Sequence, residues 1–139
     1  MKAFVVTSKG AEKICSFELK ELIDTKTKEA DSVVIFDVKD YLDICKVTYK
    51  AQSISRAALL LKEFKVDKNL ENSVTNLKLN DLKLEWNFES FTVECERNGE
   101  HDFNSVDISG EAIRKIREST NSKVDFDNPR QAFFIFINQ

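Results

Sequence analysis

The sequence predicts an α+β protein built from two modules that meet near residue 66. Two observations lead there. Short apolar runs at 4–7, 33–36 and 57–61 alternate with segments whose apolar residues recur every three or four positions. That strand–helix–strand–helix–strand order implies a small sheet with helices on one face. Beyond residue 90 the mixture returns: an alternating segment, an amphipathic segment and a last apolar run.

Each element follows from its residues. Phe4-Val5-Val6-Thr7 reads as a short buried strand. Ser8 is placed to cap the next helix, where Ala11, Ile14, Cys15, Leu19, Leu22 and Ile23 make one apolar face. Residues 33–36 are a second continuous apolar run, hence a central strand. Tyr41, Ile44, Cys45 and Thr48 again recur at helical spacing. Ala57-Ala58-Leu59-Leu60-Leu61, with Phe64 and Val66, supplies a third strand. No tight hairpin signal interrupts this order, so crossover connections are expected.

Residues 67–90 stand apart. Leu70, Val74 and Leu77 fit a helix, whereas Leu82, Leu84, Trp86 and Phe88 alternate as in a strand. Asn80-Asp81 could turn a hairpin, and periodicity leaves both readings open. Phe91, Val93 and Cys95 then alternate with Thr92, Glu94 and Glu96 in a half-exposed strand that stops at Asn98-Gly99. Ser105 and Asp107 signal a helix start, ahead of an apolar stripe of Ile108, Ala112, Ile113 and Ile116. Gly110 inside that helix costs about 1 kcal/mol relative to alanine, which points to a close backbone approach. After Asn128-Pro129, residues 132–137 read as a final strand buried on both faces.

Composition narrows the function classes. A chain of 139 residues, 42% hydrophobic, buries enough surface to fold without a disulfide or metal staple. No apolar run approaches the roughly 20 residues of a membrane span, and the N-terminus lacks the apolar core of a signal peptide. A soluble, cytoplasmic protein without a membrane partner is expected. The three glycines, Gly10, Gly99 and Gly110, lie far apart, which argues against any phosphate-cradling glycine loop. Cys15, Cys45 and Cys95 form no C-x-x-C, and His101 is the one histidine, too few soft ligands for zinc. Buried free thiols in a reducing compartment are the simpler expectation. No nucleophile–base pair can be assembled, because strand alternation turns Cys95 toward the core.

The net charge is −3 and unevenly spread. Residues 1–66 hold 12 Lys/Arg against 10 Asp/Glu, and residues 67–139 hold 9 against 14. Four of the five arginines (Arg97, Arg114, Arg117 and Arg130) follow position 96. Arginine's planar fork suits phosphate recognition better than a lysine point charge. Arg114, Lys115 and Arg117 are equally explained as the solvated face of a helix.

The second half resembles a THUMP domain. The residues that carry the resemblance are Phe91-Thr-Val-Glu-Cys-Glu-Arg97-Asn-Gly99-Glu-His101-Asp-Phe103-Asn-Ser105, then Asp107 and Gly110. Lys123-Val-Asp-Phe-Asp-Asn-Pro129, running into a hydrophobic strand, completes it. Ser53-Ile-Ser-Arg56-Ala-Ala-Leu-Leu-Leu resembles the segment that precedes THUMP in RNA methyltransferases, within a ferredoxin-like domain. The resemblance therefore implies a ferredoxin-like domain over 1–66 packed against a THUMP domain over 67–139, with residues 69–79 helical. It also implies recognition of the acceptor end of tRNA. The spacing from Tyr49 to Arg56 is most similar to archaeal tRNA guanosine N2-methyltransferases. A free-standing adaptor that presents tRNA to a separate enzyme, such as a cytidine acetyltransferase, is the alternative. A ferredoxin-like oligomerisation module without an RNA role is the third.

Methyltransferases of this branch carry a glycine-rich cofactor loop and an Asn/Asp-Pro-Pro-Tyr motif in a Rossmann-like domain after THUMP. Here Asn128-Pro129 lacks the following Pro-Tyr and precedes the last strand. No catalytic residue and no cofactor is therefore expected in this chain. S-adenosylmethionine belongs to a catalytic domain outside it, joined in cis or acting in trans. The candidate RNA contacts are Arg97, His101, Ser105, Arg114, Lys123, Arg130 and Arg56. If the loops after Arg97 and before Arg130 share one end of the sheet, the two arginines frame a phosphate with the helix start at Ser105. Otherwise Ser105 only caps the helix and the arginines pair with Asp102, Asp107 or Asp127. His101 could stack on a base or be merely solvated. Arg56 could meet RNA or pair with Glu63. Asp125 and Asp127 could hold a metal, but turn formation explains them as well.

Overall fold

The computed structural model of the chain describes residues 1–66, 87–99 and 103–138. The helix expected over 69–79, the alternative hairpin at Asn80-Asp81, and His101 lie outside the described residues. The chain divides into two units, Met1–Glu63 and Phe64–Gln139, each with its own buried cluster.

In the first unit the order is β1 (Lys2–Val6), α1 (Glu12–Ile23), β2 (Thr27–Ala30), β3 (Val33–Asp37), α2 (Tyr41–Lys50) and β4 (Arg56–Leu59). The sheet runs β2-β3-β1-β4, and every neighbouring pair is antiparallel. This β-α-β-β-α-β chain order is the split β-α-β topology of ferredoxin-like domains. Ala3, Val5, Val34 and Phe36 meet Cys15, Leu19 and Ile23 of α1 and Val47 of α2 in one core. Phe4 and Val6, which alternation sends to the other face of the sheet, are buried as well.

Three expectations change here. The connection from α1 does not run directly to the central strand, because β2 intervenes and turns into β3 through a two-residue hairpin at Asp31-Ser32. Thr27-Lys-Glu-Ala30 is a charged, poorly buried edge strand with no apolar run to reveal it. Ser32 takes a left-handed φ of 61°, and its amide donates to the Glu12 carboxylate at 2.9 Å. Ser8 does not cap α1; the cap position is Ala11, without a side-chain bond. The third strand ends at Leu59, and Phe64 and Val66 pack instead against the core of the second unit. Capping of α2 falls to Asp40, which accepts from the amides of Leu42 and Asp43.

The second unit contains β5 (Ser90–Arg97), α3 (Ser105–Ser119), β6 (Lys123–Val124) and β7 (Gln131–Ile137). Its three strands run β6-β5-β7, and both pairings are parallel. Ile108, Ala112 and Ile116 of α3 close over Phe91, Val93, Phe133, Ile135 and Ile137. Phe88, Phe91 and Phe133 meet edge to face with centroids 5.6 to 6.0 Å apart. Strand β7 is buried on one face rather than two: Phe133, Ile135 and Ile137 point inward while Phe134 and Phe136 stay half-exposed. Asn104, not Ser105, caps α3, and it completes a capping box with Asp107. Gly110 is exposed, and a Cβ built there would meet nothing within 4 Å. Among the described residues, the expected close approach is absent.

Candidate functional site

Parallel pairing decides where the arginines go. Phe91 is level with Gln131, and Arg97 is level with Ile137. Arg97 therefore closes β5 at one end of the sheet, while Arg130 precedes β7 at the other. Seven residue steps separate their levels, about 23 Å. The phosphate frame expected from Arg97, Arg130 and the helix start does not assemble. The expectation required both loops at one end, and a parallel crossover puts them at opposite ends.

At the Arg97 end the chemistry is already satisfied. Arg97 donates from Nη1 to the carbonyl oxygen of Phe103, which ties the end of β5 to the entry of α3. The capping box takes up one first-turn amide of α3 and the cap's own: Asp107 N–H donates to Asn104 at 2.9 Å, and Asn104 N–H to the Asp107 carboxylate at 3.1 Å. Ser105 is the first helical residue. Arg114 lies on the exposed face of α3 between two carboxylates, with Nε 3.1 Å from Glu111 and Nη1 2.6 Å from Glu118. The guanidinium holds the Glu111 carboxyl below its ordinary range. This triad carries a net negative charge, so α3 presents no free arginine there. In the first unit, Arg56 is exposed on the edge strand β4, level with Val6.

The other end of the parallel sheet gathers the remaining cations. Lys123 opens β6 level with Ser90, and its amide donates to Glu89. On the opposite flank of β5, the Arg130 amide donates to Ser90 Oγ at 3.1 Å. Two strand spacings place the starts of β6 and β7 about 10 Å apart. Arg117, in the last turn of α3, joins Asn121, Ser122, Lys123 and Val124 in lining an open cleft of about 470 Å³. Among the described residues, the side chains of Arg117, Lys123 and Arg130 enter no ion pair. Three carboxylates share the region, on Glu89, Asp125 and Asp127. Asp125 is committed to the turn, accepting from the amides of Asp127 at 3.0 Å and Asn128 at 2.9 Å. Phe126 projects from that turn with 71% of its surface in water.

Sequence reasoning named Lys123 and Arg130 but not Asn121, Ser122 or Phe126, and it placed Arg117 on a solvated helix face. The available signal was Asn121-Ser122-Lys123 shortly after a helix with Arg117 in its last turn.

The cysteines do not gather. Cys15 is buried, Cys95 is half-buried and Cys45 is exposed on α2, against the expectation that all three lie inside. Burial pushes the Cys95 thiol up to about 11, against a smaller downward pull from Arg97. Among the described residues, no group of three His, Cys, Asp or Glu is placed to hold a metal. No helix there is long and apolar enough to cross a membrane.

Residues 43–139 match the THUMP domain family. The chain belongs to the THUMP domain family. The match begins inside α2, so the THUMP region takes in β4 as well as the second unit. A tRNA (guanine(6)-N2)-methyltransferase of Methanocaldococcus jannaschii is 32% identical over 93% of the chain, which covers 36% of that enzyme. An uncharacterized protein of the same organism is 30% identical over 99% of the chain, covering 38% of that protein. The chain thus spans little more than a third of these relatives. Among solved structures, TrmN from Thermus thermophilus superposes with a TM-score of 0.71 at 18% identity, over 99% of this chain and 42% of TrmN. A 4-thiouridine synthetase in complex with RNA gives 0.56 at 16% identity, over 97% of this chain and 38% of that one. At such identities the structural likeness speaks to fold alone.

Proposed function

We propose that this THUMP chain binds tRNA by its acceptor end, as the N-terminal region of a tRNA guanosine N2-methyltransferase. The observation that carries this reading is the 32% identity with a tRNA (guanine(6)-N2)-methyltransferase along nearly the whole chain. The catalytic domain lies outside the 139 residues, holds S-adenosylmethionine and works in the cytoplasm on the tRNA this region positions.

The basic end of the parallel sheet supplies the binding chemistry. Phosphate contacts set the position of an RNA without reading its sequence. Lys123 and Arg130 flank the start of β5, and Arg117 reaches the same end from α3. They can neutralise successive phosphates along one strand. In the cleft beside Arg117 and Lys123, the Asn121 amide offers a neutral donor and acceptor for sugar or base edges.

Binding of labelled tRNA at several salt concentrations tests this. Intact tRNA should bind more tightly than the same tRNA trimmed of its acceptor end. The logarithm of affinity should fall against the logarithm of salt with a slope of about −2, as three phosphate contacts on a single strand require. Equal affinity for both RNAs, or binding indifferent to salt, would overturn the reading.

A further inference from the structure

Phe126 sits in water on a backbone that is firmly held. The amide of Asp125 donates to the Phe91 carbonyl at 2.9 Å. The Asp125 carboxylate accepts the amides of Asp127 and Asn128. Pro129 fixes its own φ, and the Arg130 amide is anchored on Ser90 at 3.1 Å. The turn thus presents a phenyl ring, 71% exposed, on the connection from Lys123 to Arg130. A ring left in water on a loop free to fold it away needs no explanation. A ring held out by four hydrogen-bonded backbone amides and a proline is fixed in place for a partner to cover.

Charge identifies the partner. The turn that carries the ring joins Lys123 at the start of β6 to Arg130 just before β7. These two cations enter no ion pair among the described residues, and a third, Arg117, lines the cleft beside β6. A ligand that brings both an anionic backbone and flat apolar faces matches this arrangement. Single-stranded nucleic acid does so, because an unpaired base offers its face for stacking while the flanking phosphates meet the cations. A duplex hides its base faces and offers phosphates alone. We propose that Phe126 is a stacking platform for an unpaired nucleobase of the bound RNA, with Lys123 and Arg130 on the adjoining phosphates. This rests on the RNA-binding reading above and adds to it the residue that distinguishes unpaired from paired RNA.

The test uses the full chain, Phe126→Ala, Phe126→Trp and Lys123→Ala. The probes are a tRNA with a free 3′ end and the same tRNA with that end paired to a complementary strand. A 2-aminopurine placed in the 3′ end reports stacking through its fluorescence. Phe126→Ala should bind the free-ended tRNA about five- to a hundredfold more weakly, as loss of one base–aromatic stack implies. It should bind the paired form as the parent does and should leave the 2-aminopurine unquenched. Phe126→Trp should restore both affinity and quenching. The ring is exposed, so thermal melting should match the parent in each variant. If Lys123→Ala weakens binding to both RNAs while Phe126→Ala changes neither, the stacking role is overturned and the RNA-binding reading stands. An equal loss on both RNAs for Phe126→Ala also overturns stacking. If the parent chain binds neither RNA in a salt-dependent way, both readings fall together.

Discussion

Glu18 reaches from α1 to the loop before β4, where it accepts from the Gln52 amide at 2.8 Å, the Ser53 amide at 3.0 Å and the Ser53 hydroxyl. Burial raises its pKa, but these hydrogen bonds outweigh burial and the net shift is downward from 4.5. Glu12 is lowered as well, chiefly by the Ser32 amide. A carboxylate depressed in the folded state adds stability above its unfolded pKa and loses that contribution as pH falls through the folded value. Glu18→Gln should therefore cost about 1 kcal/mol at neutral pH, the scale of a partly exposed charged hydrogen bond. The difference should shrink as denaturation is repeated at pH values below about 4.5. Gly110 gives an opposite case. It is helical, exposed and open around its missing Cβ, so Gly110→Ala should stabilise the chain by about 0.5–1 kcal/mol in thermal or urea unfolding. The sequence marks Gly110 as costly, but whether a neighbour requires it depends on what packs there, and among the described residues nothing does. Asn104 and Ser105 are both good capping residues; only the backbone angles at position 104 separate them.

At the level of elements, strong amphipathic patterns were legible and weak ones were not. Helices α1 and α3 follow the apolar spacing of their residues, because each buries one stripe, whereas α2 forms where expected but leaves Tyr41, Cys45 and Thr48 exposed and buries Val47. Strand β2 has no such stripe, since an edge strand with Lys28 and Glu29 outward has little to bury. Strand direction in the second unit matters most for the site. Residues 90–97 and 131–137 look alike in either orientation, yet parallel pairing sends Arg97 and Arg130 to opposite ends. It also separates their tasks. Replacing Lys123 and Arg130 with alanine should reduce the salt slope of tRNA binding by about 1.4, two single-strand phosphate contacts. Arg114→Ala should leave that slope unchanged, because Glu111 and Glu118 already hold its charge. Titrations at four or more salt concentrations distinguish the two variants.

Across the whole molecule, a net charge of −3 conceals local sorting. Carboxylates cap amides in the first unit and surround Arg114 in the second, while Arg117, Lys123 and Arg130 collect at one end of a sheet. The RNA binding proposed for that end should weaken steeply with salt. Family membership was readable from the spaced pattern over residues 91–137 and is borne out by the match over 43–139. The mixed α/β class was readable as well, because side-chain periods of two and three to four residues are local properties of a chain. The arrangement of the cations was not. Charges far apart in sequence become neighbours only through strand order, direction and register, and backbone pairing across the sheet sets all three. The sequence by itself determined the helices and the strongly apolar strands, and which family they belong to. The tertiary structure decided which basic residues stand together, because a parallel crossover fixes the ends of strands that no local pattern orients.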